Sequence, residues 1–330
     1  MATMQAVTFV EGGGADTLTV EEVARPLAGP GQLLVAVHAA GINRADVMQR
    51  KGFYPPPPGA SPILGLELAG VVEAVGPDVD GFKPGDRVFG LVEGGAYADY
   101  CTMHAALAMP IPDDWAFTFA AAVTETFYTA NETLFGVGGL VEGEHVLIHA
   151  GGSGVGSTGI QMAKAAGAHI YTTAGSPEKL ARCLKLGAHV GIHYKTEDFV
   201  QKILEATNGE GVHLVQDFIG AAYLTRNLKV LQQRGRLVVV GLLGGSRAEL
   251  DMGLILRKQL KIQGSVMRSL PLAEKVEIKQ RFCDRWLPLL VKGALKPVIY
   301  EEIPMGRVPE AHQLMEENRH FGKIVLRIQP

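Results

Sequence analysis

Cysteine is scarce in this chain, and its spacing removes several possibilities at once. Only Cys101, Cys183 and Cys283 occur in 330 residues, and no C-x-x-C pair is present. An odd, dispersed set of three makes neither a disulfide scaffold nor a cysteine-rich zinc lobe. It reads as free thiols in a reducing compartment, with the cytoplasm as the default address. Long apolar runs are also missing, and none approaches the roughly 20 residues that a membrane-spanning helix needs. Met1 to Val7 lacks a basic stretch followed by an apolar one, so no secretory signal is expected. Nor is one sign of charge in excess: a formal net charge of −3 leaves no basic footprint for nucleic acid or an anionic membrane surface. What remains, 47% apolar and 20% charged residues, is a globular composition. The length allows two domains with sizeable cores.

Glycine, by contrast, is placed with purpose. Val146 to Ile148 reads as a buried strand and Ile160 to Ala166 continues in helical periodicity. Between them runs His149-Ala150-Gly151-Gly152-Ser153-Gly154-Val155-Gly156. Gly151, Ser153 and Gly156 occupy the three positions of a G-x-G-x-x-G spacing, with serine in the middle. Small residues there let backbone N–H groups and the positive end of a helix approach a pyrophosphate closely. The spacing alone is weak evidence, and the strand–turn–helix context makes it good evidence.

The next strand, His169 to Thr173, ends in Thr172-Thr173-Ala174-Gly175-Ser176. An NAD site normally carries an Asp or Glu at this tip to hold the ribose 2′-hydroxyl. Here there is none. Ser176, Lys179 and Arg182 follow instead, and Glu178 falls beyond Pro177, inside the helix start. A hydroxyl, a cation and a helix N-terminus suit a 2′-phosphate, which favours NADP over NAD. An ordinary Ser N-cap with Pro at N1 and a solvated lysine accounts for the same residues. The two readings are compatible, because capping and phosphate binding use the same helix end.

Along the chain, the pattern separates a β-rich part from an alternating one. Gln5–Phe9, Leu18–Val23, Gln32–Ala39, Leu68–Val75 and Arg87–Gly90 are short strands between Gly, Pro and Asp turns. Asn43 to Arg50 reads as a short helix, and Tyr54 leads into the stiff Pro55-Pro56-Pro57-Pro58 loop. From about Thr124, strands at 146–149, 170–173, 191–193, 214–218, 236–241 and 260–264 alternate with helices at 124–134, 157–166, 177–186, 198–207 and 222–231. This βαβ alternation implies a doubly wound parallel sheet. A helix over 274–292 and strands at 298–303 and 324–328 follow, and the β-rich domain is the more economical home for those late strands. The fold expected is α/β, with a β-rich domain at 1–123 and 268–330 and a Rossmann domain at 124–267.

Six segments together carry a family resemblance. They are Gly41-Ile42-Asn43-Arg44-Ala45-Asp46, Leu64-Gly65-Leu66-Glu67-Leu68-Ala69-Gly70, Gly85-Asp86-Arg87-Val88, Gly95-Ala96-Tyr97-Ala98, the phosphate turn, and Gly322-Lys323-Ile324-Val325-Leu326. In this order and spacing the chain resembles, over essentially its whole length, the zinc-free quinone oxidoreductases. These form the zeta-crystallin branch of the medium-chain dehydrogenase/reductases, with a GroES-like catalytic domain and a Rossmann domain. Asn43 to Arg50, the proline loop and the Ser-Gly-Val-Gly turn look most like the tumour-suppressor-inducible subgroup. The zinc alcohol dehydrogenases of the superfamily carry Cys where this chain has Asn43 and His where it has Leu66, and their structural-zinc cysteines have no counterpart. The resemblance therefore implies no metal site. The pair His145 and His149 reads as structural, since His149 falls in a strand.

The resemblance implies a set of site residues. Ser153, Gly154 and Val155 would lie along the pyrophosphate of NADPH, and Gly175, Ser176, Lys179 and Tyr194 around its 2′-phosphate. Tyr194 has an alternative as a core aromatic. Thr129, Gly241 and Leu242 would stand beside the nicotinamide, and Asn318 and Lys323 in a C-terminal segment folded over the cofactor. Asn43, Asp46 and Tyr54 are the polar residues expected near the acceptor. Asp46 could equally brace its helix and Tyr54 could cover a core edge. Glu67 and Asp217 are expected to be structural. The activity implied is NADPH-dependent reduction of a small-molecule quinone without zinc, with no strong general acid in view. An enone or 2-alkenal double-bond reductase is the enzymatic alternative, and a non-catalytic NADPH-binding protein the other. In relatives the strand matching Gln259 to Met267 pairs with its copy, so a homodimer is expected.

Overall fold

The computed structural model describes residues 2–329, and the chain divides into two units. Among the described residues, one comprises 2–126, Arg268–Gln280 and 297–329, the other Phe127–Met267 and Arg281–Lys296. The fold is α/β: a GroES-like β-rich unit and a Rossmann unit with a parallel sheet.

In the first unit the long strand Gln32–Ile42 is the organising element, because apolar residues on both of its faces are buried. It pairs antiparallel with Glu67–Val75, Tyr100–His104 and Lys323–Arg327. The seven-stranded sheet continues through Arg87–Leu91 to Met109–Pro110 on one side and to Ile299–Pro304 on the other. The two late strands thus join the β-rich unit, as their isolation at the end of the chain suggested. Leu33, Val35, Ile42, Leu68, Ile324 and Leu326 are fully buried in its core, each stabilising by roughly 1.5–3 kcal/mol.

The second unit holds six parallel strands. Their spatial order is Val190–His193, His169–Ala174, His145–Ile148, Val212–Asp217, Leu231–Val239 and Lys261–Gly264. In chain order within the unit that is third, second, first, fourth, fifth, sixth. The order reverses between His145–Ile148 and Val212–Asp217, where open α/β sheets bind ligands beyond the carboxyl ends of their strands. The glycine turn directly follows His145–Ile148.

The unit boundaries differ from those read on the sequence. Residues 124–126 cluster with the β-rich unit and Arg281–Lys296 with the Rossmann unit. Side-chain chemistry explains both: the Thr124 hydroxyl and Glu125 N–H donate to Glu67. Phe282 packs on Phe127 and Tyr128, while Trp286 Nε1 donates to Asn131 Oδ1 at 2.7 Å. The single helix expected over 274–292 is two, Leu272–Arg285 and Leu287–Val291, with Pro288 in the first turn of the second. Strand Tyr100–His104 and helices Met252–Lys258 and Val308–Glu316 were not anticipated. The last had a visible signal: Val308, Ala311, His312 and Met315, its buried residues, recur at helical spacing. No helix of the described residues is long and apolar enough to cross a membrane.

Candidate active site

The phosphate turn is built by close approach. A Cβ on Gly151 would stand 2.1 Å from Thr172 Oγ1 of the neighbouring strand, so only glycine lets the turn lie down on it. The helix Gly154–Ala165 begins earlier than expected, and Ser153 caps it by accepting from the Gly156 N–H at 3.0 Å. Helix geometry leaves the Gly154 and Val155 N–H groups without intrahelical acceptors, and the helix dipole adds positive potential there. Ser153, Gly154 and Val155 therefore form one anion-ready corner.

A second corner forms at the end of His169–Ala174. Ser176 caps the helix Pro177–Leu186, accepting from the Lys179 N–H at 3.3 Å. A Cβ on Gly175 would meet Tyr194 Oη at 2.8 Å, which puts the tyrosine hydroxyl directly against that glycine. Tyr194 is 42% exposed and so is not a core aromatic. Burial depresses the Lys179 ammonium below its usual pKa, and the charges of Lys195 and Arg182 push the same way while Cys183 opposes them. Three cations thus share this corner. Glu178 is held below the usual carboxylate range by its own backbone N–H and the Ser176 hydroxyl. Gly175, Ser176, Lys179 and Tyr194 are brought together.

The other Rossmann positions are looser. Thr129 lies within helix Thr124–Asn131, its carbonyl accepting from Thr133 Oγ1 at 2.6 Å. Gly241 and Leu242 lie just past strand Leu231–Val239 rather than on its tip, with Leu242 54% exposed. Asp217 accepts from the Ile219 and Gly220 N–H groups at 2.7 and 3.1 Å, a bracing role.

In the β-rich unit, buried charges converge. Glu67 Oε1 accepts from Lys323 Nζ at 2.5 Å and Asn43 Nδ2 at 3.1 Å. Its Oε2 accepts from the Thr124 hydroxyl at 3.1 Å and the Glu125 N–H at 2.8 Å. Lys323 Nζ also donates to Asn43 Oδ1 at 2.7 Å and the Ile42 carbonyl at 3.0 Å. Asn43 uses its remaining amide hydrogen on the Gly41 carbonyl. Asn43 therefore faces inward and holds Lys323 and Glu67, instead of offering a donor to an acceptor molecule. Lys323 opens strand Lys323–Arg327 with its ammonium buried on Glu67, so its side chain is turned to that carboxylate. Asn318, the other residue of that segment, accepts from Arg44 Nη2 at 2.7 Å.

Asp46 takes the bracing role. It accepts from the N–H groups of Asn43 (2.7 Å) and Gly65 (3.2 Å) and from the Tyr97 hydroxyl (2.8 Å). Burial still lifts its pKa to about 6. Tyr54 is half-buried, its carbonyl reached by Arg268 Nη1 at 3.4 Å and its ring 5.4 Å from that guanidinium. Arg268 is itself fixed by two donations to the Glu93 carbonyl. A groove of about 460 Å³ is lined by Val7, Phe9, Gln49, Pro55, Pro56 and Ile63, among others, and contains none of these site residues.

Sequence reasoning missed Glu125 and Arg268. A cue to Glu125 existed: a carboxylate two residues beyond the apolar run Phe119–Val123, in the first turn of a buried helix. Arg268 carries no local signal, since its partners Glu93 and Tyr54 lie 175 and 214 residues away.

A zinc ion does not fit this donor set. Leu66 offers no ligand atom, Asn43 is a poor ligand beside thiolate or imidazole, and its oxygen already binds an ammonium. Lys323 supplies the positive charge that Glu67 requires. Among the described residues no group of three or more His, Cys, Asp or Glu side chains is arranged to hold a metal.

Two family patterns match the chain: zinc-binding dehydrogenase over residues 154–281 and alcohol dehydrogenase GroES-like domain over residues 29–113. Quinone oxidoreductase of Rattus norvegicus is 32% identical over 98% of this chain and 97% of its own length. Phthioceranic/hydroxyphthioceranic acid synthase of Mycobacterium bovis is 33% identical over 96% of this chain, a stretch making up 15% of that protein. The crystal structure of Escherichia coli quinone oxidoreductase complexed with NADPH superposes with a TM-score of 0.90 at 30% identity, covering 99% of this chain and 100% of the other.

Proposed function

The chain belongs to the medium-chain dehydrogenase/reductase superfamily of oxidoreductases, and on that premise we propose that it is an NADPH-dependent quinone oxidoreductase working without zinc. The observation that carries the reading is the buried Lys323 ammonium bonded to both Asn43 and Glu67. With that cation in place and no ligand at Leu66, no Lewis acid polarises a carbonyl. The acceptor must then be electron-poor by its own nature, as a quinone is.

The residues of the Rossmann unit fit NADPH. Ser153, Gly154 and Val155 would receive the pyrophosphate, and Gly175, Ser176, Lys179 and Tyr194 the 2′-phosphate, with no strand-tip carboxylate to repel it. Thr129, Gly241 and Leu242 remain the proposed neighbours of the nicotinamide. NADPH, when bound, supplies the hydride. Tyr54, anchored by Arg268, would stack on or hydrogen-bond the acceptor ring, and Asp46, Asn43 and Glu67 hold that wall of the site rigid.

We place the reaction in the cytoplasm, in keeping with three cysteines that form no disulfide. The exposed edge strand Lys261–Gly264 supports a homodimer, and a monomeric mass at micromolar concentration would argue against one. An enone reductase is the second reading, favoured by the enclosed carboxyl of Glu125. Steady-state NADPH oxidation separates the two: saturable turnover on benzoquinone supports the proposal. Turnover of an α,β-unsaturated ketone with none on quinones selects the alternative, and no turnover on either leaves a binding protein.

A further inference from the structure

Four of the ten histidines stand in one row, outside the site described above. His169 and His145 open the strands His169–Ala174 and His145–Ile148. His189 immediately precedes Val190–His193, and His213 is the second residue of Val212–Asp217. These strands are neighbours in the parallel sheet, so the row runs His189, His169, His145, His213. Adjacent ring centroids are 5.3, 4.7 and 5.8 Å apart. The row lies at the amino end of the sheet, the opposite end from the glycine turn.

Two of the rings accept bonds that only an uncharged imidazole can accept. The His145 N–H donates to His213 Nδ1 at 3.0 Å, and the Ile170 N–H donates to His189 Nδ1 at 3.0 Å. The His189 N–H returns a bond to the Ile170 carbonyl at 2.8 Å, closing a clasp between the starts of two strands. A backbone N–H is always a donor, so each Nδ1 presents its lone pair and the ring proton sits on Nε2. That tautomer leaves neither ring a lone pair for a metal ion. A proton on Nδ1 would set N–H against N–H and strip both backbone donors of their acceptors.

The surroundings favour the uncharged rings. Burial is the largest cause holding His145, His189 and His213 below their ordinary pKa. On His145, the charges of His169, His213 and His189 act the same way and Glu210 opposes them. On His189, His169 and Lys164 add to the shift. On His213, Arg236 adds to it, while Glu144 and Glu210 oppose. Arg236 Nη1 also donates to Glu144 at 3.0 Å, and the Tyr171 hydroxyl lies 3.0 Å from His145 Nδ1. A lowered histidine pKa means a contribution present above pH 6.5 and lost as pH falls below it.

We propose that the amino end of the Rossmann sheet is an acid-released latch, in which His213 and His189 hold the His145 and Ile170 amides and let go when Nδ1 takes a proton. The proton fills the lone pair that the amide had used, and the freed, charged rings then repel their neighbours in the row. The latch joins the starts of the first, second and third strands of the unit to each other and to the fourth. It does not depend on the quinone-reductase reading.

Amide exchange of the full chain, corrected for intrinsic rates, tests the latch. With the ordinary imidazole pKa of 6.5 in the opened state, opening at the His145 and Ile170 amides should rise up to about 30-fold between pH 7.5 and 5. His189→Asn and His213→Asn place a side-chain oxygen where Nδ1 stood, an acceptor that does not titrate. His189→Asn should abolish the pH response at Ile170 and keep it at His145, and His213→Asn should do the reverse. Ring-nitrogen NMR shifts of the wild type at pH 7.5 should report Nε2–H tautomers at both histidines, a measurement that needs no variant to fold. An Nδ1–H tautomer at either ring overturns the latch. So does pH-independent exchange at both amides, or a pH response left intact at the amide facing the asparagine.

Discussion

The two units bury polar groups of opposite kinds. The Rossmann unit encloses mainly neutral ones: Thr172, Thr173, His149, Gln216 and Asn227. The GroES-like unit encloses charges: Asp46, Glu67, Lys323 and the fully buried Arg50, with Glu125 beside them. Binding by backbone N–H groups at helix ends needs shape and little buried charge. Directing an acceptor and moving a proton needs fixed charges in a low-dielectric setting, where each is strong and each needs a partner. Under the proposed function the contrast would divide the labour, with one unit holding the cofactor by geometry and the other directing the acceptor by electrostatics.

The largest expected effect comes from breaking the charge pair. Lys323→Met leaves the buried Glu67 without its cation, which should cost about 3–5 kcal/mol of folding stability. Adding Glu67→Gln should recover part of it. Urea denaturation decides, and a loss under about 1 kcal/mol would mean the pair is not the keystone of that unit.

A pH scan sharpens the comparison locally, since the surroundings of His149 and the Glu67 cluster should respond with opposite sign. His149 is buried between Asn227 and Thr173, with its pKa lowered from 6.5 to about 4, mainly by desolvation. Its contribution is present above pH 6.5 and lost as pH falls through 4, roughly 3 kcal/mol in all. Asp46 and Glu125 are raised to about 6 and 8. Their contribution is present below the ordinary carboxylate range and lost as pH rises through those values. Hydrogen exchange, corrected for intrinsic rates, should show the region around His149 loosening toward acid and the Glu67 cluster toward alkali. The same direction in both would refute the distinction.

Smaller effects probe the Rossmann unit's dependence on shape. Gly151→Ala places a methyl against Thr172 Oγ1 and should cost about 1–3 kcal/mol, with weaker NADPH binding seen by nicotinamide fluorescence. Lys179→Glu should leave stability within about 0.5 kcal/mol. It should weaken NADPH binding about 10–100-fold, the worth of a charge-assisted bond, and spare NADH. Equal loss for both cofactors would remove Lys179 from the 2′-phosphate.

The same contrast explains what could be read from the amino-acid sequence. The Rossmann strands and the corner at Ser153 were legible because strand, turn and helix are local and glycine spacing encodes close approach. Ser176, Lys179 and Tyr194 followed, the first two being a cap and its neighbour. The charged cluster was not legible in this way. Lys323 and Glu67 lie 256 residues apart, and nothing in the spacing of either says that they meet. Asn43 was therefore expected to face an acceptor when it faces Lys323, and Glu125 passed as one more helix residue. The family resemblance named segments, but which way each side chain turns depends on pairs that only the folded chain brings together.

Hydride chemistry without a metal, at a place already taken by an ammonium, is the central claim. The direct measurement is quinone-dependent NADPH oxidation by protein dialysed exhaustively against a chelator, with zinc content assayed in parallel. Undiminished turnover at negligible zinc is predicted. Activity that disappears on chelation and returns with added zinc would contradict it.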